Sequence, residues 1–225
     1  MGKHGLVTWG ETQEECYAST MKIVGEAEAW LERHRPAEPF GPRIYEPLSE
    51  ERRQEVLASV LPILRGLAIG VRKDTDLEKD RSSLILRVDD SPEILEFTLR
   101  KTAATSSQYG AACPDHLVHT KRLPLWVQWN PASGVDALLA SLETNMAAYK
   151  AEYEAYFKAH AAPGDKMNSP QPRIILIPGL GMITTGADAN GAEVSAELFL
   201  RAYEVMRNVP ATGDFQPLSA AEAFG

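Results

Sequence analysis

Two six-residue segments, separated by an offset of 176 positions, share one frame of glycine and threonine. They are Gly5-Leu-Val-Thr-Trp-Gly10 and Gly181-Met-Ile-Thr-Thr-Gly186. At the same offset Thr12 corresponds to Asp188, and both are helix N-cap residues followed by apolar residues at helical spacing. A match of six residues is weak alone. With the matching caps and apolar positions behind it, the pattern indicates a duplicated unit of strand, glycine and capped helix.

Predicted strands alternate with predicted helices along the chain. Runs of β-branched and aromatic residues predict strands at 6–9, 83–88, 124–129, 172–178 and within 179–186. Helical spacing of apolar residues predicts helices at about 12–33, from 49, at 90–101, 135–160 and 188–207. Pro62 predicts a kink or a break in the second helix, and Gly179 and Gly181 predict a tight hairpin-like turn. This order predicts an α/β or α+β fold in which helices cover a mixed sheet.

One segment stands out as a linker. Residues 35–43 hold three prolines and a glycine, which disfavour regular structure. The length of 225 residues suits one domain, or one domain plus part of another. We therefore expect three regions: a strand–helix unit at 1–34, a Pro-rich linker at 35–48 and a domain at 49–225.

The amino-acid composition argues against several classes of binding partner. The chain has 23 Lys and Arg against 31 Asp and Glu, a net charge of −8, which disfavours nucleic-acid binding. No apolar run approaches the roughly 20 residues of a membrane helix, and no signal-peptide pattern occurs. Two cysteines are too few for a disulfide framework. These features predict a cytoplasmic protein that binds neither nucleic acid nor membrane.

Several stretches carry a family resemblance. The sequence Gly2–Tyr17 resembles the end of a class II aldolase/adducin-type domain. Four later stretches narrow this to the bifunctional rhamnulose-1-phosphate aldolase/short-chain dehydrogenase family, and Pro114–Trp126 is the most specific of them. The others are Leu61–Gly66, Tyr149–His160 and Ile177–Met182. The resemblance implies a three-layer α/β/α domain, class II aldolase/adducin-like and degenerate.

The family order is an aldolase module, a connecting region and a dehydrogenase module. The resemblance therefore implies that 1–34 ends an aldolase module and that 49–225 is the connecting domain. The His-x-His pair of the first module and the glycine-rich and Tyr-x-x-x-Lys motifs of the last do not occur here. We expect a fragment, inactive alone, of an enzyme that cleaves a deoxy-ketose phosphate with zinc and uses NAD in the downstream module.

The resemblance also implies a metal ligand. The family's third histidine lies in a His-Gly pair that corresponds to His4. A catalytic zinc site needs about three protein ligands, so His4 would form only part of a site. The alternative is that His4 is an exposed, metal-free residue near the terminus.

A polar segment supplies the remaining candidates. His116 and His119 are spaced i, i+3 beside Asp115, which allows a metal site or, alternatively, a capped turn in which His116 packs. Lys121 and Arg122 are candidate ligands for a phosphate or carboxylate, or else are solvated. The tyrosine stripe on the helix at 135–160 is interpreted as core and interface.

Three functions stay open from the sequence. The first is membership in the fused aldolase and dehydrogenase. The second is a non-catalytic scaffold that links the two modules or forms a homo-oligomer. The third is a domain that binds a small ligand through His116, His119, Lys121 and Arg122.

Overall fold

The computed structural model describes residues 5–69, 84–213 and 215–224. It contains seven α-helices and four strands in these ranges. The helices are α1 (Gln13–His34), α2 (Glu50–Ile69), α3 (Pro92–Thr98), α4 (Ala103–Ser106), α5 (Pro114–His119), α6 (Gly134–His160) and α7 (Ala189–Thr212). The strands are β1 (Ile85–Asp89), β2 (Leu125–Trp126), β3 (Ile174–Ile177) and β4 (Gly181–Gly186).

The chain divides into two units. The first comprises Met1–Pro39 with Arg207–Asp214, and the second comprises Phe40–Met206 with Phe215–Gly225. The division of the chain into modules at 1–34, 35–48 and 49–225 stays a prediction. Phe40, which lies inside the Pro-rich segment, is buried in the second unit with its ring 4.6 Å from that of Phe97.

The second unit is built on a mixed sheet with the strand order β1-β4-β3-β2. Strand β4 is antiparallel to both β1 and β3, whereas β2 is parallel to β3. All four residues of β3 are buried, as expected for a continuous apolar run that is covered on both faces. The predicted mixed sheet is confirmed.

Helices cover both faces of this sheet. Because side chains alternate along a strand, Ile175 and Ile177 pack with α2 and α6, whereas Ile174 and Leu176 pack with α3 and α7. The fully buried residues of α6, Leu138 and Leu142, come from its predicted apolar face. The arrangement of helices, sheet and helices confirms the predicted α/β class and its three layers.

The hairpin between β3 and β4 confirms the predicted turn. Gly179 and Gly181 have φ values of 73° and 97°, which disfavour any residue with a side chain. A Cβ at Gly181 would also lie 2.3 Å from the Asp89 carbonyl oxygen. The close approach of β1 to β4 therefore requires glycine there.

Some predicted elements differ from the structure. Helix α2 continues through Pro62, so of the predicted kink or break the break does not occur. Val60 and Leu64 on either side are fully buried and hold the helix against the sheet. The strand predicted at 124–129 shortens to Leu125–Trp126, where β3 supplies the pairing. Helix α3 ends at Thr98 rather than near 101, and α7 continues to Thr212 rather than 207.

In the first unit, too, the structure differs from the prediction. Residues 5–10 form no strand, although the sequence predicts one at 6–9. Within the described ranges no strand pairs with them, and the exposed fraction of Trp9 is 81%. Helix α1 begins as predicted, with a capping box in which Thr12 and Glu15 bond each other's backbone N–H. It has no buried residue.

Candidate functional site

His116 lies apart from the other three predicted ligand residues. Helix α5 begins at Pro114, a favourable first position, and turns the His116 ring into the interior, where it is 3% exposed. The Ala112 N–H donates to His116 Nδ1 at 3.1 Å, and Nε2 has no partner among the described residues. Burial lowers the pKa of His116, against opposing influences of Asp115 and the Leu198 backbone. The packed imidazole agrees with the alternative in which His116 packs, although no side chain among the described residues caps the helix.

His119 faces a different place. It lines an open groove with Asp115, Glu197 and Arg201, while its carbonyl accepts a 3.2 Å hydrogen bond from the Ser195 hydroxyl. Over the described ranges, no group of three or more His, Cys, Asp and Glu side chains could hold a metal ion. A metal site on His116 and His119 is therefore not formed there. His4 lies outside the described residues.

Lys121 is held in an unusual position directly after α5. Its φ of 64° is left-handed, which is uncommon for a residue with a side chain. The ammonium group lies 3.9 Å from the centre of the Tyr153 ring and donates to the Ser169 carbonyl. Burial, with a smaller effect of Arg173, lowers the pKa of Lys121 to about 7. Lys121 is therefore enclosed rather than solvated.

Arg122 packs on the next turn of α6. Its guanidinium carbon lies 5.2 Å from the centre of the Tyr156 ring, and its Nη2 is 3.5 Å from a carboxylate oxygen of Glu152. The Tyr149 hydroxyl donates to the Leu123 carbonyl at 3.0 Å. Burial raises the pKa values of Tyr149 and Tyr156, so these phenols stay protonated at neutral pH.

Three tyrosines of α6 therefore line pockets beside the loop after α5, and we call this aromatic surface the tyrosine wall. Tyr149, Tyr153 and Tyr156 share one face of α6, because residues three and four positions apart are neighbours on a helix. Two small pockets between this wall and the loop after α5 contain both Lys121 and Arg122. Cations over aromatic faces in a partly dry pocket can bind an anionic ligand.

A larger cavity adjoins Lys121 on its other side. It has a volume of about 480 Å³ and includes Gln171 and Arg173, which precede β3. Sequence reasoning missed these two residues. The available signal was two polar side chains directly before a strand that is otherwise wholly apolar.

A comparison with known protein families identifies the family of this chain. Residues 55–225 match the family described as aldolase class II, second domain. The chain belongs to this family. The predicted class II aldolase relationship is thereby confirmed at the family level.

One relative spans the whole chain. It is described as "Uncharacterized oxidoreductase YuxG" from Bacillus subtilis (strain 168) and is 41% identical over 226 aligned residues. The alignment covers 100% of this chain and 31% of that protein, so the chain spans about a third of the relative's length. No solved structure matches. In the parts of the chain described here, no helix has the length and apolar character needed to cross a membrane.

Proposed function

We propose that this chain is part of a fused enzyme in which a class II aldolase module is joined to an oxidoreductase. The observation that carries the proposal is the end-to-end similarity to a longer protein described as an oxidoreductase, combined with the aldolase-family match over residues 55–225. Neither finding alone joins the two activities. Together they support a single polypeptide that performs both.

In this proposal the chain itself connects the two modules. The family resemblance favours rhamnulose 1-phosphate, or a related deoxy-ketose phosphate, as the substrate that is cleaved, and a short-chain dehydrogenase with NAD downstream. The described residues do not fit zinc, since they offer no three-ligand cluster. The family resemblance favours His4 as one ligand of a zinc site whose other ligands the upstream aldolase module would supply. The cytoplasm is the proposed location, because both cysteines are free thiols.

The test uses the coding DNA on both sides of this chain and the longest product it encodes. We expect an upstream His-x-His motif and a downstream glycine-rich turn. The long product should cleave rhamnulose 1-phosphate with zinc and reduce NAD with an aldehyde, whereas the 225-residue chain should do neither. Tight zinc binding and substrate cleavage by the 225-residue chain, or a long product that lacks both activities, would refute the proposal.

The second candidate is a scaffold without chemistry of its own. It is favoured by the core of the second unit, which is complete on both faces of the sheet without a metal cluster among the described residues. Light scattering should then show a homo-oligomer that persists when the aldolase and dehydrogenase modules are deleted. A monomer under these conditions would argue against an oligomerisation role.

A further inference from the structure

The cavity beside Lys121 combines features that the proposed fusion does not explain. It lies where β3 begins and β4 ends, and Tyr153 of α6 covers one side. Its lining includes the cationic side chains of Lys121 and Arg173 and the amides of Asn168 and Gln171. The volume of about 480 Å³ would hold a molecule of several carbon atoms.

Among the residues that the structure describes, no carboxylate compensates the charge of this cavity. Lys121 and Arg173 are near enough that Arg173 contributes to lowering the pKa of Lys121. In the described ranges neither side chain forms an ion pair with a carboxylate, and no Asp or Glu lines the cavity. The whole chain, in contrast, has a net charge of −8. An anion between the two groups would favour the protonated form of Lys121 and offset its repulsion with Arg173.

The side chain of Gln171 has an unmet hydrogen bond. Its side-chain oxygen is buried and has no hydrogen-bond partner among the described residues. Buried polar groups in proteins are usually paired, so this amide lacks a partner that a ligand could supply. A hydroxyl group suits this position, because it can donate and accept a hydrogen bond.

The backbone holds the lysine at this site. Lys121 has the left-handed conformation described above, and the preceding Thr120 hydroxyl donates to the His116 carbonyl at 2.8 Å. Unfavourable backbone conformations in folded proteins are concentrated at functional sites. The backbone directly after α5 therefore restricts the position of the Lys121 amine more than that of an exposed surface lysine.

We propose that this cavity binds a small hydroxylated anion, a phosphate or carboxylate that carries a neighbouring hydroxyl. Lys121 and Arg173 bind the anionic group. Gln171 bonds the hydroxyl, and the Tyr153 ring covers the carbon skeleton. The site needs no metal and none of the residues assigned to the aldolase reaction. Its test is thus independent of the lyase assay.

Isothermal titration calorimetry of the 225-residue chain tests the proposal with three probes. Glycerol 3-phosphate carries both groups, inorganic phosphate carries only the anion, and glycerol carries only hydroxyls. We expect glycerol 3-phosphate to bind at least tenfold more tightly than inorganic phosphate, and glycerol not to bind. Glycerate, titrated in parallel, distinguishes a carboxylate ligand from a phosphate ligand.

Four variants assign the residues. Lys121→Met and Arg173→Met should each weaken glycerol 3-phosphate at least tenfold. Gln171→Met should lower the affinity for glycerol 3-phosphate toward that of inorganic phosphate and leave inorganic phosphate unchanged. The matched control is Lys158→Met, which removes an exposed cation of α6 and should bind as the unaltered chain does.

Equal affinities for glycerol 3-phosphate and glycerol would overturn the proposal, as would unchanged binding in both cation variants. Amine acetylation of the unaltered chain covers the case in which a variant fails to fold. Glycerol 3-phosphate should slow acetylation of Lys121, measured by mass spectrometry, at least fivefold and leave Lys158 unaffected. Equal rates for Lys121 with and without the probe would also overturn it.

Discussion

The two copies of the repeat make the same turn in different settings. Thr184 Oγ1 donates to the Ala192 carbonyl at 2.8 Å. The equivalent Thr8 Oγ1 lies 3.5 Å from the Cys16 carbonyl oxygen and makes its shorter contact, 2.6 Å, with Thr20 Oγ1. The offset is the same 176 positions that separates the sequence copies. The duplication inferred from sequence is therefore visible in local geometry.

The glycines of the two copies agree as well. A Cβ at Gly10 would lie 2.7 Å from the Cys16 nitrogen, and a Cβ at Gly186 would lie 2.3 Å from the Ala192 nitrogen. In both copies the chain passes so close to the first turn of the helix that only glycine fits. The copies differ in the strand, because β4 pairs on both sides whereas residues 5–10 have no strand partner among the described residues. They also differ in burial, because α1 has no buried residue whereas Phe199 and Tyr203 of α7 are buried. A strand depends on its partners in a way that a capped helix does not.

The largest expected contrast comes from equivalent apolar positions. Ile183 is fully buried in β4, and its counterpart Val7 is 53% exposed. Ile183→Ala should lower the free energy of unfolding by about 2–5 kcal/mol through a cavity, and Val7→Ala by less than about 0.5 kcal/mol. Urea unfolding followed by circular dichroism measures both. A comparable loss in Val7→Ala would show that the first copy is buried in solution.

The glycine pair should give the next largest effect. Gly186→Ala places a methyl group against the Ala192 backbone and should cost about 2–3 kcal/mol of unfolding free energy. Gly10→Ala forces the same close contact on a segment without buried residues. The distortion there should melt residues 5–12 locally, which hydrogen exchange detects, with little change in the global transition. A large global loss from Gly10→Ala would contradict the contrast.

The equivalent residues Thr8 and Thr184 give a third contrast between the two copies. The Thr184 hydroxyl is fully buried, and Thr184→Val would leave the Ala192 carbonyl without that bond, at a cost of about 1–2 kcal/mol. Thr8→Val should cost less than about 0.5 kcal/mol, because water can replace the partly buried hydroxyl. Equal losses in the two variants, measured by urea unfolding, would indicate that the first copy excludes water too.

A last test is a pH dependence of the unfolding free energy that belongs to neither copy. The pKa of Lys121 is about 7 when folded, below its ordinary value of 10.5. Between these values the unfolded chain binds the proton and the folded chain does not, so stability rises with pH. The slope for one proton is at most about 1.4 kcal/mol per pH unit.

Urea unfolding at several pH values from 7 to 9.5 measures this slope, and Lys121→Met should reduce it. Ile183→Ala and Val7→Ala serve as controls and should keep the slope of the unaltered chain. An identical slope in Lys121→Met would show that the amine is solvated.

Much of the fold follows from local sequence. The helix caps at Thr12 and Asp188, the hairpin glycines and the wholly apolar β3 are all predictable, because each depends on residues within a few positions. At Pro62 the sequence predicts a kink or a break, and the helix does not break, because packing of the neighbouring turns outweighs one missing hydrogen bond. The strand predicted at 6–9 does not form, for the opposite reason. Its residues favour a strand, but no strand among the described residues pairs with them.

The candidate site was less predictable. The sequence selected Lys121 and Arg122 as anion ligands, and that role stays a prediction. It grouped them with His116 and His119, but α5 turns His116 inward and His119 toward another groove. Gln171 and Arg173 share a cavity with Lys121 because the fold brings the residues before β3 next to the loop after α5, which spacing along the chain does not reveal.

By itself, the sequence determined the family, the capped helices and the two tight turns, since these depend on neighbouring residues and on backbone sterics. Only the tertiary structure decided which of two nearly identical segments became a strand and which cations share a cavity. Ladder hydrogen bonds and charge proximity join residues far apart in the chain, so both are properties of the packed molecule.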